Sequence, residues 1–353
     1  MAVMIDWSLA AQVARGVSGL APSGESAPFE ILGPSAVESE RLVCAYTGLV
    51  AAAPLPTAEA VGRDGWIDAN LRSLRGVLDP AADRVSARLG PLAGPMGAAL
   101  GGLLAVEAGA VSGFLAGRVL GQYEFPVLDP AAPARLLFVA PNLGHAAATM
   151  DADTDQLLRW VALHETTHAL QFGAVPWLRE HLAAMVRELL DALEVEPGRL
   201  LRLPDLSDLK GLVEQVRENG IAGLGIGPDQ RELLERAQAF MALLEGYAEH
   251  VMDAVGAQLL PDLPELREAM ERRRGERSGF LRVLDKLIGM DLKLRQYEEG
   301  KAFCDAVVGL GGIAALNRAW SSPDALPTLP ELDDALGWLA RTERLGLGPA
   351  VEF

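Results

Sequence analysis

Leu157–Trp177 reads LLRWVALHETTHALQFGAVPW, with His164-Glu165-Thr166-Thr167-His168 at its centre. Apolar residues at Leu157, Trp160, Val161, Leu163 and Phe172 wrap most of a helix. Asp153 and Gln156 form a capping box ahead of it, and Asp155 adds favourable charge to the first turn. Gly173 and Pro176 stop it. A helix apolar nearly all round is buried, which predicts that its histidines are buried too. Two imidazoles four residues apart lie one above the other on a helix, so both can reach one metal ion. Glu165 sits about 100° around the same turn, where it can hydrogen-bond an activated water without ligating the metal. Two neutral imidazoles, a water and a carboxylate base are the parts of a zinc hydrolase.

A catalytic zinc takes a third protein ligand from another element and keeps one position open. A second helix begins at the capping box Pro228-Asp229-Gln230-Arg231-Glu232 and runs to about Gly256. It offers Glu245, Glu249, His250 and Asp253. Glu249 lies about 40° from Glu245 around a helix, and His250 about 140° away. With Glu245 as ligand, Glu249 faces the same way and can orient a ligating imidazole. Gly246 then leaves room for the active helix to pass closely. With His250 as ligand, the two glutamates need another explanation. Glu245 is the preferred third ligand and His250 the alternative. A buried Glu245 that ligates nothing needs a cation beside it.

Around these two helices the chain reads as mainly α with minor β, one domain over residues 1–353. A helical N-terminal part covers about residues 1–130, and a metal-binding part about 131–353. A first helix ends near Gly16, a loop follows from Ala21 to Pro34, and a helix capped by Asp64 runs to about Leu78, closed by Asp79-Pro80. Leu89–Gly117 is rich in Gly and Ala, but Pro91, Pro95 and Glu107 argue against a membrane span. A buried helical hairpin is expected there, with its glycines marking close approach by neighbours. Leu136–Ala140 is the clearest strand candidate and is expected to be an edge strand that could pair with substrate. Trp177–Leu193, Pro204–Glu218, Glu265–Glu271, Phe280–Gly289 and Leu329–Arg344 read as helical.

The formal net charge of −17 argues against nucleic acid and anionic membrane surfaces, which need a basic face. Cys44 and Cys304 are the two cysteines, without a C-x-x-C pair, which suits a reduced, cytoplasmic protein. The N-terminal apolar stretch carries Asp6 where a signal peptide has Lys or Arg.

HETTH followed by Glu245-Gly246-Tyr247-Ala248-Glu249 resembles the gluzincin branch of metallopeptidases, which usually has an Asp or similar residue four after its ligand glutamate, a position held here by Glu249. The runs GFLAGRVLGQYE, LLFVAPN, LHETTHALQFGAVPWLREHL, EGYAEHVMDAVG, LDKLIGMDLKLRQYEEGKAF and LNRAWSSPDALPTLPEL are similar to a bacterial family of zincin-like metallopeptidases. Members of that family are often labelled as associated with deazaflavin-coenzyme biosynthesis. The resemblance implies a zinc site and a mainly helical fold, and it does not supply a substrate.

The expected activity is zinc-dependent peptide hydrolysis with Glu165 as general base. Two alternatives stand beside it: hydrolysis of a small amide, or a zinc scaffold that binds a partner. Tyr297 is the first candidate to stabilise the oxyanion, ahead of Tyr247 and Arg295. His145, just after the strand, could approach substrate, and His181 reads as an ordinary polar residue.

Overall fold

In the computed structural model, the described residues are 4–22, 30–89, 93–192, 228–260, 263–270, 272 and 295–346. Of the expected helices, Pro204–Glu218 and Phe280–Gly289 lie outside them. Among the described residues the chain is mainly helical with one three-stranded sheet, as the sequence leads one to expect. It forms two compact units, one drawn from Met1–Ser35, Pro56–Glu165 and Leu182–Leu203, the other from Ala36–Leu55, Thr166–His181 and Pro204–Phe353.

The first unit holds α1 (Trp7–Ser18), β1 (Ala58–Val61), α3 (Arg63–Leu89), α4 (Ala93–Ala116), β2 (Gly121–Glu124), β3 (Arg135–Val139) and α5 (Ala140–Met150). Asp6 caps α1, its carboxylate accepting from the backbone N–H groups of Ser8 and Leu9. Apolar residues from these elements share one core, among them Ala10, Ala14, Trp66, Ile67, Ala82, Ala105, Leu137 and Val139.

The stretch expected to form a hairpin is instead the single helix α4, and its partner is α1. A Cβ on Gly101, Gly109 or Gly113 would collide with the backbone of Met4, Ala10 or Ala14. The glycines therefore do mark a close approach, but α1 makes it. α3 does not stop at Asp79-Pro80 but carries Pro80 in its interior. The lost backbone bond is outweighed by packing beyond it, where Ala82 is buried in the shared core. Arg63 ties the end of α1 to the sheet side. It donates to Asn142 Oδ1 at 2.8 Å and Ala21 O at 2.8 Å.

The sheet has the order β1-β3-β2, with β1 parallel and β2 antiparallel to β3. β3 matches the expected strand but is central, paired on both sides. It cannot offer a free edge to substrate, so the edge-strand expectation for Leu136–Ala140 is corrected. The run LLFV is buried, as a central strand must be.

The second unit contains most of α2 (Leu32–Thr47), the C-terminal part of α6 (Thr154–Ala174), α8 (Pro228–Gly256), α9 (Arg295–Leu316) and α10 (Ala335–Arg344). α7 (Leu178–Ala192) contributes its first turn here and the rest to the first unit. Gly246 and Gly300 let α8 and α9 cross with their backbones in contact. The room beside Gly246 is therefore filled by α9, not by the active helix. Trp338 is fully buried against Phe303 and donates to Ala325 O at 2.8 Å, which fixes α10 on α9. α9 kinks at Gly312, whose φ of 74° suits glycine.

Gly97–Ala116 and Glu299–Trp320 are long and apolar enough to cross a membrane by length and composition. Core helices pass the same test, and both stretches are packed along one side, on α1 and α8 respectively.

Candidate metal centre

α6 begins where the sequence places it. Asp153 Oδ1 accepts from the backbone N–H of Gln156 at 2.9 Å, and the helix ends at Ala174 beside Gly173. Its sides are buried through Ala162, Leu163, Thr166, Thr167, Ala169 and Leu170. That burial fixes the roll of the helix and with it the direction of the two histidines.

His164 and His168 of α6 and Glu245 of α8 each bring a donor atom to one place, all within 4.8 Å of one another. Nε2 of His168 lies 3.7 Å from Oε1 of Glu245. The three are half-buried, not buried as the apolar pattern around them predicts. The side chain of His168 is 13% exposed and that of Glu245 26%. Between Leu163 and Leu170 the other residues of the helix are buried, and the two histidines are the partly exposed ones.

The ring of His168 is held from behind by Gln171. The carbonyl of Leu244 can only accept, so the hydrogen bond of 3.1 Å to it comes from the Gln171 amide nitrogen. The amide oxygen of Gln171 then faces Nδ1 of His168 at 2.8 Å and accepts its proton. In the neutral ring this leaves the lone pair on Nε2, the nitrogen turned towards Glu245. Two imidazoles and a carboxylate make a donor set that zinc takes. The residues present fit the metal.

Glu165 stands apart from these donors. Its Oε2 accepts from the backbone N–H of Tyr123 at 2.9 Å, and the residue is 8% exposed. Across β2 and β3, Val139 N–H donates to Leu120 O. The alternating register then turns the backbone groups of Gly121 and Tyr123 away from β3. Gly121 makes the approach possible. A Cβ there would lie 2.7 Å from Cγ of Glu165 and 2.8 Å from Cγ1 of Val161.

The other candidates are elsewhere. His250 is 8% exposed, and both ring nitrogens are engaged, Nε2 with the Tyr46 hydroxyl at 2.8 Å and Nδ1 with Asp305 at 2.6 Å. It is not among the converging donors. Tyr247 is fully buried, stacks edge-on against Trp320 and donates to Asn317 Oδ1 at 2.8 Å. Burial pushes its hydroxyl far above the usual phenol range. Tyr247 is a core residue and not an oxyanion donor. The side chains of Tyr297 and Arg295 lie outside the described residues. His145 has its ring Nε2 3.5 Å from the Thr149 hydroxyl of its own helix, and His181 packs between Trp177 and Phe240. Glu249 is half-buried one turn beyond Glu245, and the acceptor on His168 Nδ1 is Gln171. Gln171 was legible in principle, because it follows His164 by seven residues and so shares its helical face.

The profile of the zincin-like metallopeptidases matches residues 5–339. The chain belongs to that family. A crystal structure from Chloroflexus aurantiacus, described as a proposed hydrolase with a novel fold, is similar at a TM-score of 0.73 and 31% identity. The match covers 97% of this chain and 99% of that one. No curated protein matches. Family and donor set together make this zincin-like protein a candidate zinc hydrolase. Neither match carries the association with deazaflavin coenzymes.

Proposed function

We propose that this zincin-like protein is a zinc-dependent peptidase in which His164, His168 and Glu245 hold the metal and Glu165 is the general base. The observation that carries the reading is the convergence of two imidazoles and a carboxylate from two helices at a partly exposed place. A scaffold with a sealed metal core has no need of that exposure.

When bound, zinc supplies a Lewis acid that makes water a nucleophile at neutral pH. The chain supplies the proton handling. Glu165 takes a proton from the attacking water and passes it to the departing amine, so that the amide C–N bond breaks as the new C–O bond forms. The Tyr123 N–H holds Oε2 of Glu165 and so fixes the carboxylate beside the metal ligands. β2 replaces β3 as the strand a substrate backbone could join, since its outer edge runs beside the base.

The test is incubation of zinc-loaded protein with a diverse peptide library, beside Glu165→Gln as control. Cleavage by the wild type alone is the expected result. Cleavage by neither protein, with zinc bound and the fold intact, overturns the peptidase reading in favour of a small amide or a scaffold.

A further inference from the structure

We infer that Gln171 is a positioning residue that sets the tautomer of His168 and, through the same amide, the register of the Glu245 helix. The inference rests on the metal centre proposed above. Gln171 is completely buried. Its amide oxygen accepts from His168 Nδ1 at 2.8 Å, and its amide nitrogen donates to Leu244 O at 3.1 Å. Leu244 immediately precedes Glu245. One side chain therefore grips the ring of one donor and the backbone next to another.

An amide suits both tasks, where neither an acid nor an amine would. The ring needs an acceptor, and the Leu244 carbonyl needs a donor. A carboxylate would serve the ring but face the carbonyl oxygen with nothing to donate. An imidazole without an acceptor on Nδ1 carries its proton on Nε2 more readily, and that nitrogen could no longer ligate. Gln171 thereby prepares Nε2 before any metal arrives. Its neutrality also leaves the site with one negative charge fewer than a carboxylate in that place would give.

The experiment compares wild type, Gln171→Leu and Gln171→Glu in two ways. Long-range ¹⁵N correlation spectra of the metal-free proteins, at alkaline pH, report which nitrogen of His168 carries the proton. Competition with a chromophoric chelator reports zinc affinity. Wild type should show a single Nδ1–H tautomer. Gln171→Leu should populate the Nε2–H form and bind zinc about 10–100-fold more weakly, the loss typical of a residue that orients a ligand. Gln171→Glu should keep the wild-type tautomer yet still lose zinc affinity, because the link to Leu244 is broken. A wild-type His168 protonated on Nε2, or a Gln171→Leu protein with unchanged tautomer and affinity, overturns the inference. If Gln171→Leu fails to fold, the wild-type spectrum and Gln171→Glu decide it. Zinc refused by wild type overturns the metal centre itself, while the tautomer spectra still decide the role of Gln171.

Discussion

His168 on α6 and His250 on α8 each give their Nδ1 to an acceptor and differ in everything else. The partner of His168 is a neutral amide, and its Nε2 faces a carboxylate at 3.7 Å, beyond hydrogen-bond reach. The partner of His250 is the Asp305 carboxylate, and its Nε2 meets the Tyr46 hydroxyl at 2.8 Å. Asp305 also accepts from Lys301, which in turn pairs with Asp253, itself paired with Arg267. His250 is thus a closed node in a charge network, with no nitrogen left for a ligand. His168 is held at Nδ1 by Gln171, and its Nε2 is turned towards Glu245. The partners of an imidazole decide which nitrogen it can offer to a metal.

The sharpest way to break this contrast is to truncate each ring. His168→Ala, His164→Ala and Glu245→Ala should lose stoichiometric zinc, whereas His250→Ala should retain it. Elemental analysis of the purified proteins settles the matter. Equal zinc in His168→Ala and wild type, or its loss from His250→Ala alone, would reverse the assignment.

The next effect in size concerns the base. Glu165→Gln should keep zinc and lower hydrolysis by about 10²–10⁴-fold, the usual worth of a positioned acid or base. Gly121→Ala should act in the same direction through geometry alone, since its new methyl meets Cγ of Glu165. Zinc content should again be unchanged. If Gly121→Ala hydrolyses peptides at the wild-type rate, the close approach of β2 does not position the base.

What could be read from the sequence was local. The cap at Asp153, the stop at Gly173, the span of α8 and the HETTH spacing depend on residues a few positions apart, and each appears in the structure. Helical geometry preferred Glu245 to His250 once α8 was assigned, and Glu245 is the one that lies beside the two histidines. β1 and β2 are four residues each, AEAV and GQYE, without an alternating pattern, and exist because β3 lies beside them. α2 and α5 open with Gly33-Pro34 and Pro141, which read as breakers although proline suits a first turn. The centrality of β3, the α1–α4 contact and the role of Gln171 are tertiary facts. A single chain gives no sign of which neighbour will arrive.

The α8–α9 crossing offers a smaller but clean comparison. Gly246→Ala and Gly300→Ala each put a methyl into opposing backbone, and each should cost about 1–3 kcal/mol in denaturant unfolding. Gly309, on the same helix as Gly300, has nothing within 4 Å of the place its methyl would take. Gly309→Ala should be neutral or stabilising by up to about 1 kcal/mol. Similar effects at all three positions would mean that helix propensity, not the crossing, governs them.

The smallest expected effect tests the closed node. Burial raises the Asp305 carboxyl, but the hydrogen bonds from His250 and Lys301, with their charges, outweigh it and hold the group below its ordinary range. A depressed carboxyl contributes stability that is present above its unfolded value, about 3.9 for aspartate, and is lost as pH falls through the folded value. Asp305→Asn should therefore be less stable than wild type at neutral pH, with the gap closing only below about pH 4. The side chain is 44% exposed, so solvent screening keeps the gap small. Unfolding midpoints of both proteins, followed from neutral pH into the acid limb, measure it. A gap that stays constant with pH would show that Asp305 acts through shape and not charge. The contrast between His168, turned towards Glu245, and His250, bound to Asp305 and Tyr46, would then rest on hydrogen-bond geometry alone.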